Sequence, residues 1–243
     1  MMIFIGIDDT DIVGSKGTNQ LAKAIVEELK DDWNCVRIVR HQLLDDPRVP
    51  CTSKNGSASI LLQDREEIPL DEDRIVILIH KIREKMKRWF IKGSDPGLCV
   101  CPFDKVGQQI VQFGYRCQFE LVTQADALAL ADESEIHLEG LGGTNGGIIG
   151  ALAAVGLGFQ GNDGRVVQIG NAFTDMTGRQ SITEIESLGV EVTDLDSDES
   201  IHDGIVVFNK KLRPNLRDNR IILYVQKSHT AGEEDTYAPV KLS

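Results

Sequence analysis

No apolar stretch in this 243-residue chain approaches the ~20 residues that a membrane-spanning helix needs. The longest, Gly146 to Phe159, is rich in glycine and alanine and suits a helix packed inside a protein. The chain does not open on a basic region followed by an apolar signal core, because Asp8 interrupts the first apolar run. Paired cysteines are missing too. The five present, Cys35, Cys51, Cys99, Cys101 and Cys117, are odd in number and have no C-x-x-C spacing. That pattern excludes a zinc ribbon and offers no disulfide framework. Cys99 and Cys101 alternate along an expected strand and read as two buried thiols on one face. A cytoplasmic protein is the expectation. Positive charge is also in short supply: 26 Lys and Arg against 38 Asp and Glu give a net charge of −12. Broad, nonspecific nucleic-acid binding needs a positive field and is disfavoured. Local basic faces remain, one at Lys81, Arg83, Lys85, Lys87, Arg88 and Lys92, another at Lys210, Lys211, Arg213, Arg217 and Arg220. There is no internal repeat.

What is present is the composition of a soluble globular protein, 41% apolar and 26% charged, long enough for one large domain or two smaller ones. The run 2–7 reads as a buried strand, followed by an acidic loop and a helix from Thr18 to Lys30. Cys35 to Leu44 and Ser57 to Gln63 read as strands, joined by a turn-rich connection through Asp45-Asp46-Pro47-Arg48-Val49-Pro50. Ile75, Val76, Ile79, Ile82 and Met86 recur at helical spacing and predict a helix over 73–89, whose basic residues form its solvated face. A short strand at 98–101, a helix from Asp104 to Phe113, a strand from Arg116 to Leu121 and a threonine-capped helix from Thr123 to Ala131 follow. Beyond about residue 160 the texture shifts to short strands at 166–169, 205–208 and 221–225, one helical stretch near 181–188, a solvated acidic run at 194–200 and a mobile tail from Ser228 to Asp235. Helices and strands intermix throughout. The expected fold is α/β, a mixed sheet with packed helices of the two-layer sandwich type and some antiparallel pairing.

The chemistry concentrates at the end of the first strand. Asp8, Asp9 and Asp11 follow Met2-Ile3-Phe4-Ile5-Gly6-Ile7 within four positions. Clustered carboxylates repel and resist ionising together. A hard cation such as Mg²⁺ relieves that repulsion and commonly brings phosphates with it; an Asx turn or helix cap is the structural alternative. Gly14-Ser15-Lys16-Gly17-Thr18 then forms a glycine-lined helix start, with Thr18 as its default cap and Lys16 as a candidate phosphate ligand. A second, denser segment, Gly142-Gly143-Thr144-Asn145-Gly146-Gly147, precedes another helix. Free amides at a helix N-terminus favour anions, and glycines let backbone approach a phosphate. The segment matches neither the P-loop nor the dinucleotide fingerprint, and tight helix packing selects the same residues. Asn55-Gly56 and Asp95-Pro96-Gly97 read equally as turns.

The run Gly6-Ile7-Asp8-Asp9-Thr10-Asp11, with Gly17-Thr18 and Leu21-Ala22, resembles the start of the archaeal tRNA-Ile agmatinylcytidine synthetases. Val49-Pro50 with Lys54-Asn55-Gly56, Asp95-Pro96-Gly97 and Gly147-Ile148-Ile149-Gly150-Ala151-Leu152-Ala153-Ala154-Val155-Gly156 arrive in the same order. The resemblance covers about residues 1–160, the family's kinase-like, ATP- and Mg²⁺-binding domain. It implies that Asp8, Asp9 and Asp11 hold Mg²⁺ and phosphates, that Thr18 is autophosphorylated or touches phosphate, and that an RNA cytidine is activated before an amine displaces its oxygen. Residues 161–243 would be a reduced ferredoxin-like part. An OB-fold and a zinc ribbon, the family's main tRNA grips, are not expected within these residues. Ile12 and Asn19 depart from the family's serine and threonine.

The expected function is therefore a Mg²⁺-dependent, ATP-utilising phosphotransferase whose acceptor is RNA or a small amine- or hydroxyl-bearing metabolite. Lys16 and Lys54 would neutralise charge. Lys16, Gly17, Asn55, Gly56, Gly142, Gly143, Thr144, Asn145, Gly146 and Gly147 are the expected nucleotide ligands. Two alternatives stay open: a non-catalytic nucleotide- or RNA-binding accessory protein, and an enzyme forming an aspartyl phosphate on Asp8 or Asp9.

Overall fold

A computed structural model describes residues 1–49, 51, 54–66, 71–170, 172–173, 176–228 and 235–242. The chain runs β1 (Met2–Asp8), α1 (Thr18–Leu29), β2 (Trp33–Arg40), β3 (Ala58–Asp64), α2 (Glu72–Lys87) and β4 (Gly97–Pro102). After a 3-10 turn at Phe103–Lys105 come α3 (Gln108–Phe119), α4 (Gln124–Glu133), β5 (His137–Gly140) and α5 (Gly147–Gln160). The remainder is β6 (Arg165–Ile169), β7 (Ala172–Phe173), β8 (Gly178–Ser181), α6 (Ile182–Glu186) and β9 (Glu191–Asp194). It closes with β10 (Ile205–Phe208), β11 (Asn215–Arg217), β12 (Arg220–Lys227) and β13 (Thr236–Pro239). Pro50 and residues 229–234 of the expected tail lie outside the described residues.

β1 is buried on both faces, which explains its unbroken apolar run. Ile3, Ile5 and Ile7 meet Leu21, Ile25 and Leu29 of α1 and Ile82 and Met86 of α2. Phe4, one residue out of phase, meets Ile110 and Phe113 of α3 and Leu152 and Val155 of α5 on the other side. The mixed sheet with packed helices is thus present, with a helical layer on each face. Three layers stack here instead of the expected two. The strands are ordered β5-β4-β1-β3-β2-β6-β11-β12-β13-β10-β8, mostly antiparallel, with β10 parallel to β13 and β9 parallel to β12. A separate cluster, Ile182, Ile185, Val192, Val206, Phe208 and Leu223 among others, forms the core of the C-terminal strands. Among the described residues no helix is long and apolar enough to cross a membrane.

Several expectations shift. Residues 116–121 form no strand: α3 runs through to Phe119, because Ile110, Val111, Phe113, Gly114 and Cys117 make a helical stripe against α5. The alternation at Tyr115, Cys117 and Phe119 mimics a strand, yet Phe119 is 76% exposed. The helix expected to begin at Asp104 is only the 3-10 turn there, and α3 starts at Gln108. In α2 the buried stripe includes Leu78, and Val76 is 62% exposed. The β2 ladder is regular only to Arg40, although His41 and Leu43 still donate backbone hydrogen bonds to Ser57 and Asn55, 2.9 Å each. Thr123 does cap α4, in a reciprocal capping box with Asp126. Cys99 and Cys101 are buried together, and burial pushes the Cys101 thiol up to about 12.

Glycine sets how near α5 comes to its neighbours. A Cβ on Gly6 would lie 1.9 Å from the Ala151 carbonyl oxygen, and one on Gly156 2.1 Å from that of Ile110. At the C-terminal end of β2, His41 is fully buried, with Nδ1 2.8 Å from Asp163 and Nε2 2.8 Å from the Ser59 hydroxyl. Replacing Gly6 by Ala forces α5 off the sheet. The expected cost is about 2–3 kcal/mol, a fall in Tm of roughly 4–12 °C in a thermal melt; an unchanged Tm would refute the close packing.

Candidate active site

β1 delivers Asp8 to the mouth of a cleft at the C-terminal end of the strand, opposite Gly97 of β4. Asp9 follows with φ +46°, a left-handed conformation costly for most side chains and tolerated best by Asp and Asn. Its carbonyl accepts a 3.1 Å hydrogen bond from the Asp95 amide. Asp95 in turn accepts at its carbonyl from the Gly147 amide, 3.1 Å, and at its carboxylate from the Thr144 hydroxyl. One residue between α2 and β4 therefore ties the acidic loop to the glycine-rich segment.

The carboxylates are held where charge is disfavoured. Asp8 is 9% exposed and lies so close to α5 that a Cβ on Gly150 would fall 1.8 Å from its Oδ2. Burial pushes Asp8 up to about 7, with Asp9 and Asp11 adding repulsion, while the Asp9 amide and Arg40 pull the other way. Burial also raises Asp9, to about 6, helped by Asp95 and Asp11. Asp11 is raised by burial, against a 3.4 Å hydrogen bond donated by the Thr18 hydroxyl. Thr18 also accepts from the Thr10 hydroxyl at 3.1 Å. It is the first residue of α1; the cap is Gly17, which has no side chain to satisfy the helix amides.

The cleft has a volume of about 500 Å³. Of the residues expected to act together, Asp8, Asp9, Asp11, Gly17, Thr18, Lys54, Asn55, Gly56, Thr144, Gly146 and Gly147 line it. Lys16 does not: its ammonium sits 5.1 Å from the Trp89 ring centroid. Gly142 packs against Pro96 and Phe90, Gly143 covers Asp95 at φ +61°, and Asn145 sits under Gly140, so these three build the turn. The amides of Gly147, Ile148 and Ile149 already donate to the carbonyls of Asp95, Asn145 and Gly146. Asn55 is a brace, its amide donating to the Leu44 carbonyl at 2.9 Å, and Gly56 makes room for the Arg40 guanidinium. Arg40, Asp95, Glu120 and Gln124 line the cleft without having been singled out as site residues. Asp95 was visible as a turn; Arg40 and Glu120 carry no local signal.

Among the described residues no three Asp, Glu, His or Cys side chains are arranged to hold a metal ion by themselves. What the cleft does hold is a shortage of donors. Asp95 Oδ1 and Asn19 Oδ1 are both buried without a hydrogen-bond partner. Hard oxygen atoms of this kind fit Mg²⁺, which usually takes one or two carboxylates and completes its shell with phosphates and water.

Because the folded Asp8 has a pKa near 7 against 3.8 unfolded, the folded state binds the extra proton between those values. The penalty is absent below pH 3.8 and complete above pH 7. Asp8→Asn should therefore be more stable than the parent at pH 8, by up to about 4 kcal/mol, and the gap should close as pH falls towards 4. Melts at several pH values check this; a gap independent of pH would contradict it.

No protein-family model matches the chain, and no curated protein matches it by sequence. Solved structures do. Apo TiaS, an isoleucine-tRNA agmatidine synthetase, superposes with a TM-score of 0.53 at 22% identity over 64% of this chain. The complex of TiaS with its tRNA and ATP gives 0.54 at 23%, and the complex with tRNA, AMPCPP and agmatine 0.54 at 22%, each over 64% of the chain. The chain spans only about 35% of the length of those proteins. Over that shared part, this chain has the fold of a portion of the isoleucine-tRNA agmatidine synthetase.

Proposed function

We propose that the cleft binds Mg·ATP and transfers a phosphoryl group in a reaction of the RNA-modifying type, with RNA or a small amine- or hydroxyl-bearing metabolite as acceptor. The observation that carries this reading is the gathering of Asp8, Asp9 and Asp95 around one cleft, two of them held at about 7 and about 6 and the third with an orphaned oxygen. The likeness to structures solved with ATP, AMPCPP, agmatine and tRNA supports it. Mg²⁺ held by one or two of Asp8, Asp9 and Asp95, with phosphate and water completing its shell, would neutralise phosphate charge. Lys54 and Arg40 reach the same space, and the start of α1 at Gly17 and Thr18 offers amides and the positive end of a helix dipole. Asp11 accepts the Thr18 hydroxyl hydrogen bond, so it is placed to take the proton as that oxygen attacks the γ-phosphorus and ADP leaves. In this reading residues 1–160 are the catalytic unit, residues 161–243 are an appended, reduced ferredoxin-like part, and the protein works in the cytoplasm.

Asp9→Asn should lower ATP turnover at least about 100-fold while leaving the circular dichroism spectrum unchanged and the Tm no lower than the parent's. Normal turnover would sink the mechanism. Incubation with Mg²⁺ and γ-labelled ATP, with and without bulk tRNA, locates the transferred group. Label on Thr18 survives hydroxylamine. Hydroxylamine-sensitive label would mark an aspartyl phosphate, and ATP binding without any product would leave an accessory protein.

A further inference from the structure

Arg40 lines the cleft and has arginine neighbours across the sheet. Arg40 ends β2, and Arg165 at the start of β6 stands directly opposite it in the antiparallel pair. Cross-strand partners share a face, and like charges so placed repel. Arg165 also pairs with Asn215 of β11. Arg213, two residues earlier, comes near enough to join burial and Arg40 in holding the Arg165 guanidinium below its ordinary value. Among the described residues no carboxylate forms an ion pair with any of the three. Elsewhere the chain does pair its cations: Arg74 with Asp64, Lys81 with Asp32, Lys85 and Arg88 with Glu28. Arg40 is drawn to Asp8 and donates a 3.3 Å hydrogen bond to Gln42, but in a chain with 38 acidic residues and 26 basic ones Arg165 and Arg213 stand beside it with no carboxylate at ion-pair distance among the described residues. Arg40 and Arg165 are half-buried and Arg213 is exposed, so the cations step outward from the cleft to the surface.

We propose that Arg40, Arg165 and Arg213 form a phosphate-binding strip that seats a phosphate group of the acceptor substrate beside the aspartates. This rests on the phosphoryl-transfer reading of the cleft. Guanidinium groups grip phosphate oxygens through paired, charge-assisted hydrogen bonds, and an anion here removes the cross-strand repulsion. The phosphate comes either from a phosphodiester of an RNA strand or from a small phosphorylated acceptor.

The test compares the full chain with its Arg165→Gln/Arg213→Gln variant. Three quantities are read: the Tm shift caused by inorganic phosphate at constant ionic strength, the affinity for a fluorescent single-stranded RNA, and the affinity for Mg·ATP. The parent should be stabilised by phosphate, and the variant should melt no lower than the parent in phosphate-free buffer. The variant should also lose the phosphate shift or at least about tenfold in RNA affinity, with ATP affinity unchanged. Loss of RNA binding identifies the phosphodiester source; loss of the phosphate shift alone identifies the small acceptor. A parent indifferent to both probes, or a variant that binds both as the parent does, overturns the strip. So does a variant whose ATP affinity falls in step, because the arginines would then belong to the nucleotide site. Failure of the parent to bind ATP would overturn only the nucleotide reading, since the phosphate and RNA arms contain no nucleotide.

Discussion

The site depends on a helix that touches the sheet backbone directly where glycines leave no side chain between them. α5 approaches β1 at Gly6, β4 at Gly97 and α3 at Gly156 within distances that a single methyl group would violate. Its glycine- and alanine-rich sequence is therefore first a packing sequence. The same closeness walls Asp8 in against Gly150 and keeps Gly147 within reach of the Asp95 carbonyl. The acidic loop is thus positioned by van der Waals contact and backbone hydrogen bonds, with little help from side-chain ion pairs.

That arrangement sets fold stability against chemical readiness. Desolvation of Asp8 and Asp9 is unfavourable to the empty protein, and the left-handed backbone at Asp9 adds strain. The apolar layers on both sides of β1 carry that load. Carboxylates raised in this way change state nearer neutral pH than ordinary ones and respond strongly to an arriving cation. The facing arginines at the strand ends are a second instance of the same trade, with the opposite sign.

Local patterning exposed much of this in advance. The β1 run, the stripe of α1, the span of α2, the capped start of α4 and the acid cluster all rest on short-range signals and stand close to where the sequence puts them. The misreadings have long-range causes. Tyr115, Cys117 and Phe119 alternate like a strand, and only the presence of α5 decides for a helix. β5, β8, β9, β11 and β13 are three or four residues long and owe their existence to neighbours distant in sequence. At the site, the aspartates and Thr18 were visible, whereas Lys16 turned to Trp89 and part of the glycine segment serves the turn. Arg40 and Glu120 reach the cleft only through tertiary folding.

β2 is an interior strand solely because β6 lies alongside it. The C-terminal portion supplies that cover, along with Asp163 for the buried His41 ring and Asn219 for the Arg37 guanidinium. Severing the polypeptide after position 160 would strip those partners away together. The fragment would carry a naked eight-residue border, open to strand exchange with a neighbouring molecule, right beside the mouth of the cleft. Whatever else the trailing third of the chain contributes, it covers that border.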